Sequence, residues 1–299
     1  MRTNKVVIAC FRNDLFLLRP CVASIRYWYP DIEIYLLKDY IKGDFSTKEL
    51  ETCWNVKVFP TTRRSFGWGW SKLVPVLHEK KEKFFVLDSD VVLLGRVIDA
   101  LDEYDEDFIV TGIQEDKQSH NVNAHYIDMS ALEELDPSYN YPGFAFNTGQ
   151  VVMTGGLLTE ADLSPVIDMG ESISNKYPQI FRFTDQGVLN YLLVKAHDEG
   201  KIRLRYDDFW IWPGTPAAGR ISIESIEAKV GIPYVLHWAG AKPVDFRKYI
   251  RADLIEFYTS YYYSRIPLGA LKRNARFLRD LMIVKLKIAK YKLLRKTYE

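Results

Sequence analysis

The sequence predicts an α/β fold: a mixed, mostly parallel central sheet with helices on both faces. Three observations point there. The chain opens strand, loop, helix, strand, the unit from which doubly wound sheets are built. An apolar run of strand formers, Phe84-Phe85-Val86-Leu87, halts at Asp88-Ser89-Asp90 and resumes as Val91-Val92-Leu93-Leu94. Such unbroken runs suit strands buried on both faces. No internal repeat or low-complexity linker interrupts the chain before about residue 250, so 1–250 reads as one catalytic domain and 251–299 as an aromatic and basic helical tail.

The elements follow in order. Val6 to Cys10 reads as a first buried strand, Phe11 to Asp14 as its loop, and Leu15 to Trp28 as a helix stopped by Pro30-Asp31. Ile32 to Leu37 is a second strand and Val56 to Pro60 a short third one. There is no G-x-G-x-x-G after the first strand and no G-x-x-x-x-G-K-[ST] anywhere. A dinucleotide cofactor and a P-loop ATPase are therefore not expected. Gly67-Trp68-Gly69-Trp70-Ser71-Lys72 leads into a helix ending near Lys80, which feeds the Asp88/Asp90 strand. Asp107 to Thr111 is a further strand. Gln114 to Pro142 is polar and irregular, in the manner of a lid or substrate loop. Phe144 to Met153 reads as one strand, in which Gly149 leaves room for a ligand. A helix begins at Thr184, its expected cap, with Val188, Leu189 and Leu192 on the buried side. Tyr234 to His237 is the closing strand, followed by a tight turn at Gly240.

Composition bounds the class. A hydrophobic content of 47% and a charged content of 26% over 299 residues are ordinary for a soluble globular protein. Aromatic content is high at 14%. Cys10, Cys21 and Cys53 show no metal-ligand spacing, which fits a reducing, cytoplasmic setting. The N-terminus enters a strand without signal-peptide architecture, and no apolar run is long enough for a bilayer. From Lys272 onward ten Lys/Arg stand against Asp280 and Glu299, a net +8, which leaves −7 for the rest of a chain whose total is +1. A basic tail on a mildly acidic body suggests an anionic surface as partner.

Asp88 and Asp90 are the sharpest chemical signal. A central strand delivers its last residues to the carboxyl edge of the sheet, where open α/β folds bind ligands. Two acids with one residue between them can aim their oxygens at one hard cation. The plain alternative is a turn, since Asp and Ser favour turns and caps; Asp105-Glu106-Asp107 reads as such a solvated turn.

Taken together, six pieces in this order resemble glycosyltransferase family 8, the glycogenin-like and lipopolysaccharide-galactosyltransferase-like enzymes. They are Val6 to Trp28, Trp70-Ser71-Lys72-Leu73, Leu87-Asp88-Ser89-Asp90, Phe146-Asn147-Thr148-Gly149, Thr184-Asp185-Gln186 with Leu189-Asn190, and His237-x-x-Gly240 with Lys242-Pro243. The resemblance implies a GT-A fold and transfer of a hexose, with retention, from a nucleotide-diphosphate sugar. It implies that Asp88, Asp90 and His237 hold a metal. The oxygen and imidazole set leans toward Mn²⁺ over Mg²⁺. Ala9, Phe11, Asn13, Ser89 and Gly240 would line the nucleotide, with Lys72 and Lys242 meeting its phosphates as point charges. Asn147 and Asp185 would hold the donor sugar's hydroxyls, and Gln186 would lie under its anomeric carbon. Two departures stand out. Only Ala241 separates Gly240 from Lys242 where the family usually has two residues, and Val244 replaces the Trp that usually follows the proline. Phe11 stands where the family's first loop often offers an acid to the base, and it can stack there instead. UDP is the expected nucleotide.

The expected partners are a nucleotide-sugar donor, a glycan or glycolipid acceptor, and an anionic membrane surface met by the tail; nucleic acid is not expected. Trp210, Trp212 and the Gln114 to Pro142 loop are the acceptor candidates. In the tail, Phe277, Leu281, Val284, Ile288 and Tyr291 form an apolar helical stripe. Arg276, Arg279, Lys285, Lys287, Lys290 and Lys292 flank it, and Tyr258, Tyr261, Tyr262 and Tyr263 precede it as interfacial rings. A peripheral position on the inner face of the membrane follows from this reading. The alternative is a basic helix docked on the catalytic domain. The competing functions are an inverting transferase with Asp207 or Asp208 as base, a nucleotidyltransferase lacking its Gly-rich loop, and a non-catalytic, membrane-tethered nucleotide-sugar sensor.

Overall fold

The computed structural model describes residues 1–67 and 69–296, without the side chains of residues 288 and 290–296. Fourteen strands are formed among them. They are β1 Lys5–Phe11, β2 Glu33–Asp39, β3 Val56–Val58, β4 Lys83–Asp88, β5 Val91–Leu93, β6 Phe108–Val110, β7 Gly112–Ile113, β8 Ala145–Phe146, β9 Gln150–Thr154, β10 Ile167–Asp168, β11 Ser174–Asn175, β12 Leu204–Tyr206, β13 Trp210–Ile211 and β14 Val235–His237. Seven build the central sheet in the order β12-β6-β9-β4-β1-β2-β3. All run parallel except β9, which lies antiparallel between β4 and β6. The expected α/β class and mostly parallel sheet are therefore present.

The period-2 geometry of a strand explains the two cores. Val6, Ile8 and Cys10 of β1 enter one cluster, and Val7 enters the cluster on the opposite face. The first cluster is covered by the Leu15–Trp28 helix, formed over the residues expected for it. The carboxyl ends of β1, β2 and β4 then share one edge, with Ala9 level with Asp88 and Phe11 level with Asp39.

The halt read at Asp88-Ser89-Asp90 is a turn: β4 ends at Asp88, and β5 leaves for a three-stranded sheet, β13-β14-β5. Several expectations need correction. The helix expected up to Lys80 is only a 3-10 turn, Trp70–Lys72, and the short helix Leu73–Val76. Residue 68 lies outside the described residues. The 114–142 segment, read as irregular, contains the helices His120–His125 and Met129–Leu135, capped by the Ser119 and Asp128 side chains. Short helices of mixed propensity show little periodicity. The single strand read over Phe144 to Met153 is two, β8 and β9, broken at Asn147-Thr148-Gly149.

The packed body also runs past residue 250. The Ala252–Ser264 helix lies on the Leu15–Trp28 helix, and Tyr258 and Tyr262 are wholly buried. Tyr258 Oη accepts from Trp28 Nε1 at 3.0 Å and donates to Leu93 O at 2.7 Å. Tyr262 stacks on Trp54 with centroids 4.9 Å apart. These tyrosines are core, so the expectation of interfacial rings at Tyr258, Tyr262 and Tyr263 is overturned. The last helix, Gly269–Lys296, is tied at its start to the body, since Arg276 and Lys272 both pair with Glu49. Phe277 and Leu281 of the expected stripe are half-buried. The more exposed stripe is Leu271, Leu278, Met282 and Leu286. Ile288, Lys290, Tyr291 and Lys292 lie outside the described side chains. Among the described residues no helix is long and apolar enough to cross a membrane.

Candidate active site

Where β4 stops, its last residue and the turn after it face the carboxyl edge. Asp90 O accepts from Trp238 N at 3.1 Å, which fixes the turn against the end of β14. His237, the last residue of β14, thereby meets Asp90: Nε2 lies 3.4 Å from Oδ1. Asp88, Asp90 and His237 each bring one ligand atom within 4.8 Å of the others. Gly149 makes this approach open. A Cβ there would fall 2.2 Å from His237 Cε1 and 2.9 Å from Asn147 Oδ1. The room expected at Gly149 is thus occupied by the protein's own His237.

Two ammonium groups cross-link the carboxylates. Lys72 Nζ reaches Asp88 Oδ1 at 2.9 Å, Asp185 Oδ2 at 3.2 Å and Thr148 Oγ1 at 3.4 Å. Thr148 donates to Asp185 Oδ2 at 2.7 Å. Burial pulls the Lys72 ammonium toward neutrality, but Asp185 and Asp88 outweigh it and raise its pKa. Lys242 Nζ lies 3.0 Å from Asp14 Oδ2 and 3.1 Å from Asp90 Oδ2. Burial alone would raise the Asp90 carboxyl, yet His237 and Lys242 hold it below the usual carboxylate range. Burial lifts Asp14 above that range against the pull of Lys242. Gly240, at φ +103°, makes the turn that returns Lys242 to the cluster.

Beside this cluster a second network begins. Asn147 Nδ2 donates to Gln186 Oε1 at 3.1 Å, and Gln186 Nε2 donates to the His125 carbonyl at 2.9 Å. Asn147 Oδ1 accepts from Gly149 N at 2.8 Å. Asp185 and Gln186 open the Asp185–Asp198 helix, as expected, but Thr184 does not cap it with its side chain. Thr184 sits instead at φ +53° and donates to Asp185 Oδ1 at 3.2 Å. Gly69, at φ +76°, clears space for Asp185: a Cβ there would lie 1.9 Å from Asp185 Oδ1.

Asp88, Asp90, His237, Lys72, Lys242, Asn147, Asp185 and Gln186 therefore meet along one edge. Ala9 and Phe11 lie on β1 at that edge, Ser89 is buried in the turn, and Asn13 is exposed in the loop after β1. Asp207 and Asp208 are not part of the Asp88, Asp90 and His237 group. Asp14 and Thr148 were given no role in the sequence reading. Asp14 carried one usable signal, its position just beyond the strand whose end faces Asp88.

The residues present fit a divalent cation. Asp90 Oδ1 and His237 Nδ1 are buried without a hydrogen-bond partner, and such atoms cost about 1–3 kcal/mol each when left unmatched. Four carboxylates, Asp14, Asp88, Asp90 and Asp185, face two ammonium groups. The surplus negative charge favours a cation, and two hard oxygens with one imidazole are acceptable to Mn²⁺.

No protein-family model matches the sequence, and no curated protein matches it. Solved structures do. The galactosyltransferase LgtC, in complex with donor and acceptor sugar analogs, superposes with a TM-score of 0.56 at 15% identity, covering 88% of this chain and 97% of that one. The fold is GT-A. The bifunctional glycosyltransferase WbbM gives 0.55 at 17% identity, over 87% of this chain and 50% of that one. GlyE from Streptococcus pneumoniae TIGR4 gives 0.50 at 14% identity, over 93% and 64%. The fold implied by the ordered motifs is thus met. In this GT-A chain the Asp88/Asp90 turn, His237 and Gln186 all lie along the carboxyl edge of the sheet.

Proposed function

We propose that this protein is a metal-dependent glycosyltransferase that moves a hexose from a UDP-sugar to a glycan or glycolipid acceptor with retention. The convergence of Asp88, Asp90 and His237 beside two buried, cross-linking lysines is the observation that supports this reading most. Cleaving a glycosyl–phosphate bond leaves negative charge on the diphosphate. Bound by Asp88, Asp90 and His237, a Mn²⁺ ion would supply Lewis-acid stabilisation of that charge. Lys72 and Lys242 supply fixed positive charge at the same edge. Ala9, Phe11, Asn13, Ser89 and Gly240 line the nucleotide side. Asn147 and Asp185 orient the donor sugar, and Gln186 is held by Asn147 and the His125 carbonyl. A neutral amide is a weak nucleophile, so Gln186 acts here by position.

The Gly269–Lys296 helix extends the proposal to a peripheral membrane site on the cytoplasmic face. Its exposed Leu271, Leu278, Met282 and Leu286 and its exposed Lys285 and Lys287 support contact with an anionic surface.

The deciding experiment incubates purified protein with Mn²⁺ and a panel of nucleotide sugars and reads donor hydrolysis. Hydrolysis of one UDP-sugar is expected. Inertness toward the whole panel rejects the enzyme reading and favours a sensor. NMR of the product's anomeric proton then decides retention against inversion.

A further inference from the structure

Next to Gln186 lies a surface feature that folding does not require. Phe183 is 59% exposed, and its ring stacks on the exposed His125 ring with centroids 5.9 Å apart and planes 29° from parallel. Its backbone sits at φ +48°, and Thr184 follows at φ +53°. Two successive non-glycine residues in this region are strained. Glycine or asparagine would meet the same turn at lower cost. A large apolar side chain on strained backbone, outside the core, is the reverse of what stability favours.

The segment is nonetheless firmly built. Ile127 and Phe181 form an antiparallel bridge. Arg182 N donates to Tyr126 O at 2.8 Å, and the Arg182 guanidinium pairs with Asp128 at 2.9 Å. Gly187 lets the two segments close, since a Cβ there would lie 2.4 Å from Tyr126 O. The clamp ties both rings to Gln186: its backbone N donates to Phe183 O at 3.2 Å, and its Nε2 donates to His125 O at 2.9 Å.

We propose that Phe183 and His125 form the acceptor platform, a seat for one pyranose ring whose C–H face packs on the paired aromatics. The inference rests on the transferase reading above. A pyranose has an apolar face of C–H groups and a rim of hydroxyls. The exposed rings suit the face, as flat, rigid, apolar surfaces do. The polar groups of Gln186 and Asn147 adjoin the platform and suit the rim. The seated sugar's rim then borders the residues proposed to hold the donor.

Saturation-transfer NMR on the full chain with Mn²⁺ and UDP tests this. The probes are methyl β-D-galactopyranoside and methyl β-D-glucopyranoside. Phe183→Asn removes the ring while tolerating positive φ, and Phe183→Tyr keeps a ring. Saturation of the sugar C–H protons is expected in wild type and in Phe183→Tyr, with about tenfold weaker binding in Phe183→Asn. No saturation of either sugar in wild type would overturn the platform. So would equal saturation in Phe183→Asn, or a loss confined to the uridine protons. Donor hydrolysis separates the two readings. A wild type that hydrolyses a UDP-sugar but seats no pyranoside loses the platform alone. One that seats the pyranoside and hydrolyses no donor keeps the sugar seat but loses the transferase reading, and with it the seat's role as an acceptor site.

Discussion

Asp14 and Asp90 share one ammonium: Lys242 Nζ stands 3.0 Å from an oxygen of the first and 3.1 Å from an oxygen of the second. Asp14 is thereby linked to a proposed metal ligand, Asp90, through Lys242. Neutralising Asp14 removes one negative charge from the cluster and leaves Lys242 to Asp90 alone. Both effects oppose a divalent cation. Asp14→Asn is expected to weaken Mn²⁺ binding roughly tenfold, the scale of one charge a few ångströms away at a partly buried site. Titration calorimetry with Mn²⁺ measures it, and unchanged affinity would make Asp14 a packing residue.

Asp90→Asn should remove most transferase activity. The expected loss is ~3 kcal/mol or more in transition-state stabilisation, the scale of removing one main electrostatic element. Wild type in excess EDTA should match it. Full turnover by Asp90→Asn in EDTA would remove the metal from the proposal.

Gly149→Ala tests the packing behind the cation site. Its Cβ would need the space of His237 Cε1, 2.2 Å away. His237 is buried and paired with Val91 of β5, which leaves it little room to retreat. A loss of about 1–3 kcal/mol in stability is expected from such overpacking, together with weaker Mn²⁺ binding. Thermal unfolding with and without Mn²⁺ separates the two. A melting temperature that is unchanged in both would show that His237 moves freely.

Gln186→Ala should lower kcat more than it weakens UDP binding. Gln186 is bonded to Asn147 and His125 O, not to the lysines or to the Asp88/Asp90 pair. Calorimetry with UDP beside single-turnover rates reads the split. Collapse of UDP affinity with normal turnover of bound donor would place Gln186 on the diphosphate.

The tail prediction is a pH dependence. Burial raises the Glu49 carboxyl, but Arg276, Lys272 and Tyr262 outweigh it, taking its pKa from 4.5 to about 2 in the fold. A depressed folded pKa stabilises docking above the unfolded value and loses that stabilisation as pH falls through the folded one. The start of the Gly269–Lys296 helix should therefore stay protected from hydrogen exchange at neutral pH and lose protection between about pH 4.5 and 2. Glu49→Gln should lack that protection already at neutral pH. The distal helix should still bind anionic liposomes at low salt and release them as salt rises. Equal liposome binding by a chain ending at Leu268 would leave the helix as a packing element.

The sequence by itself determined the sheet and most of the edge that bears the site. Strand periodicity and the residues ending each strand are local properties, so β1, β2, β4 and β14, with Asp88, Asp90 and His237 at their ends, were readable in order. The Leu15–Trp28 helix was readable for the same reason, from apolar spacing and the Pro30-Asp31 stop. Only the tertiary structure decided what those ends meet. Lys242 joins Asp14 across 228 positions, and Tyr258 joins Leu93 across 165. An aromatic cluster such as Tyr258 to Tyr263 has the same local pattern whether it faces lipid or core. The choice was made by the surface of the Leu15–Trp28 helix and Trp54, which needed covering. The halt at Asp88-Ser89-Asp90 was legible, but the parting of β4 and β5 into different sheets was not, because both runs are equally apolar. Two sheets, not one, claim them: β9 and β1 hold β4, while β14 pulls β5 away. Side-chain period travels along the chain. Which buried surfaces close on one another is a property of distant segments together, and it set the charges of this edge, its unpartnered buried polar atoms and the path of the tail.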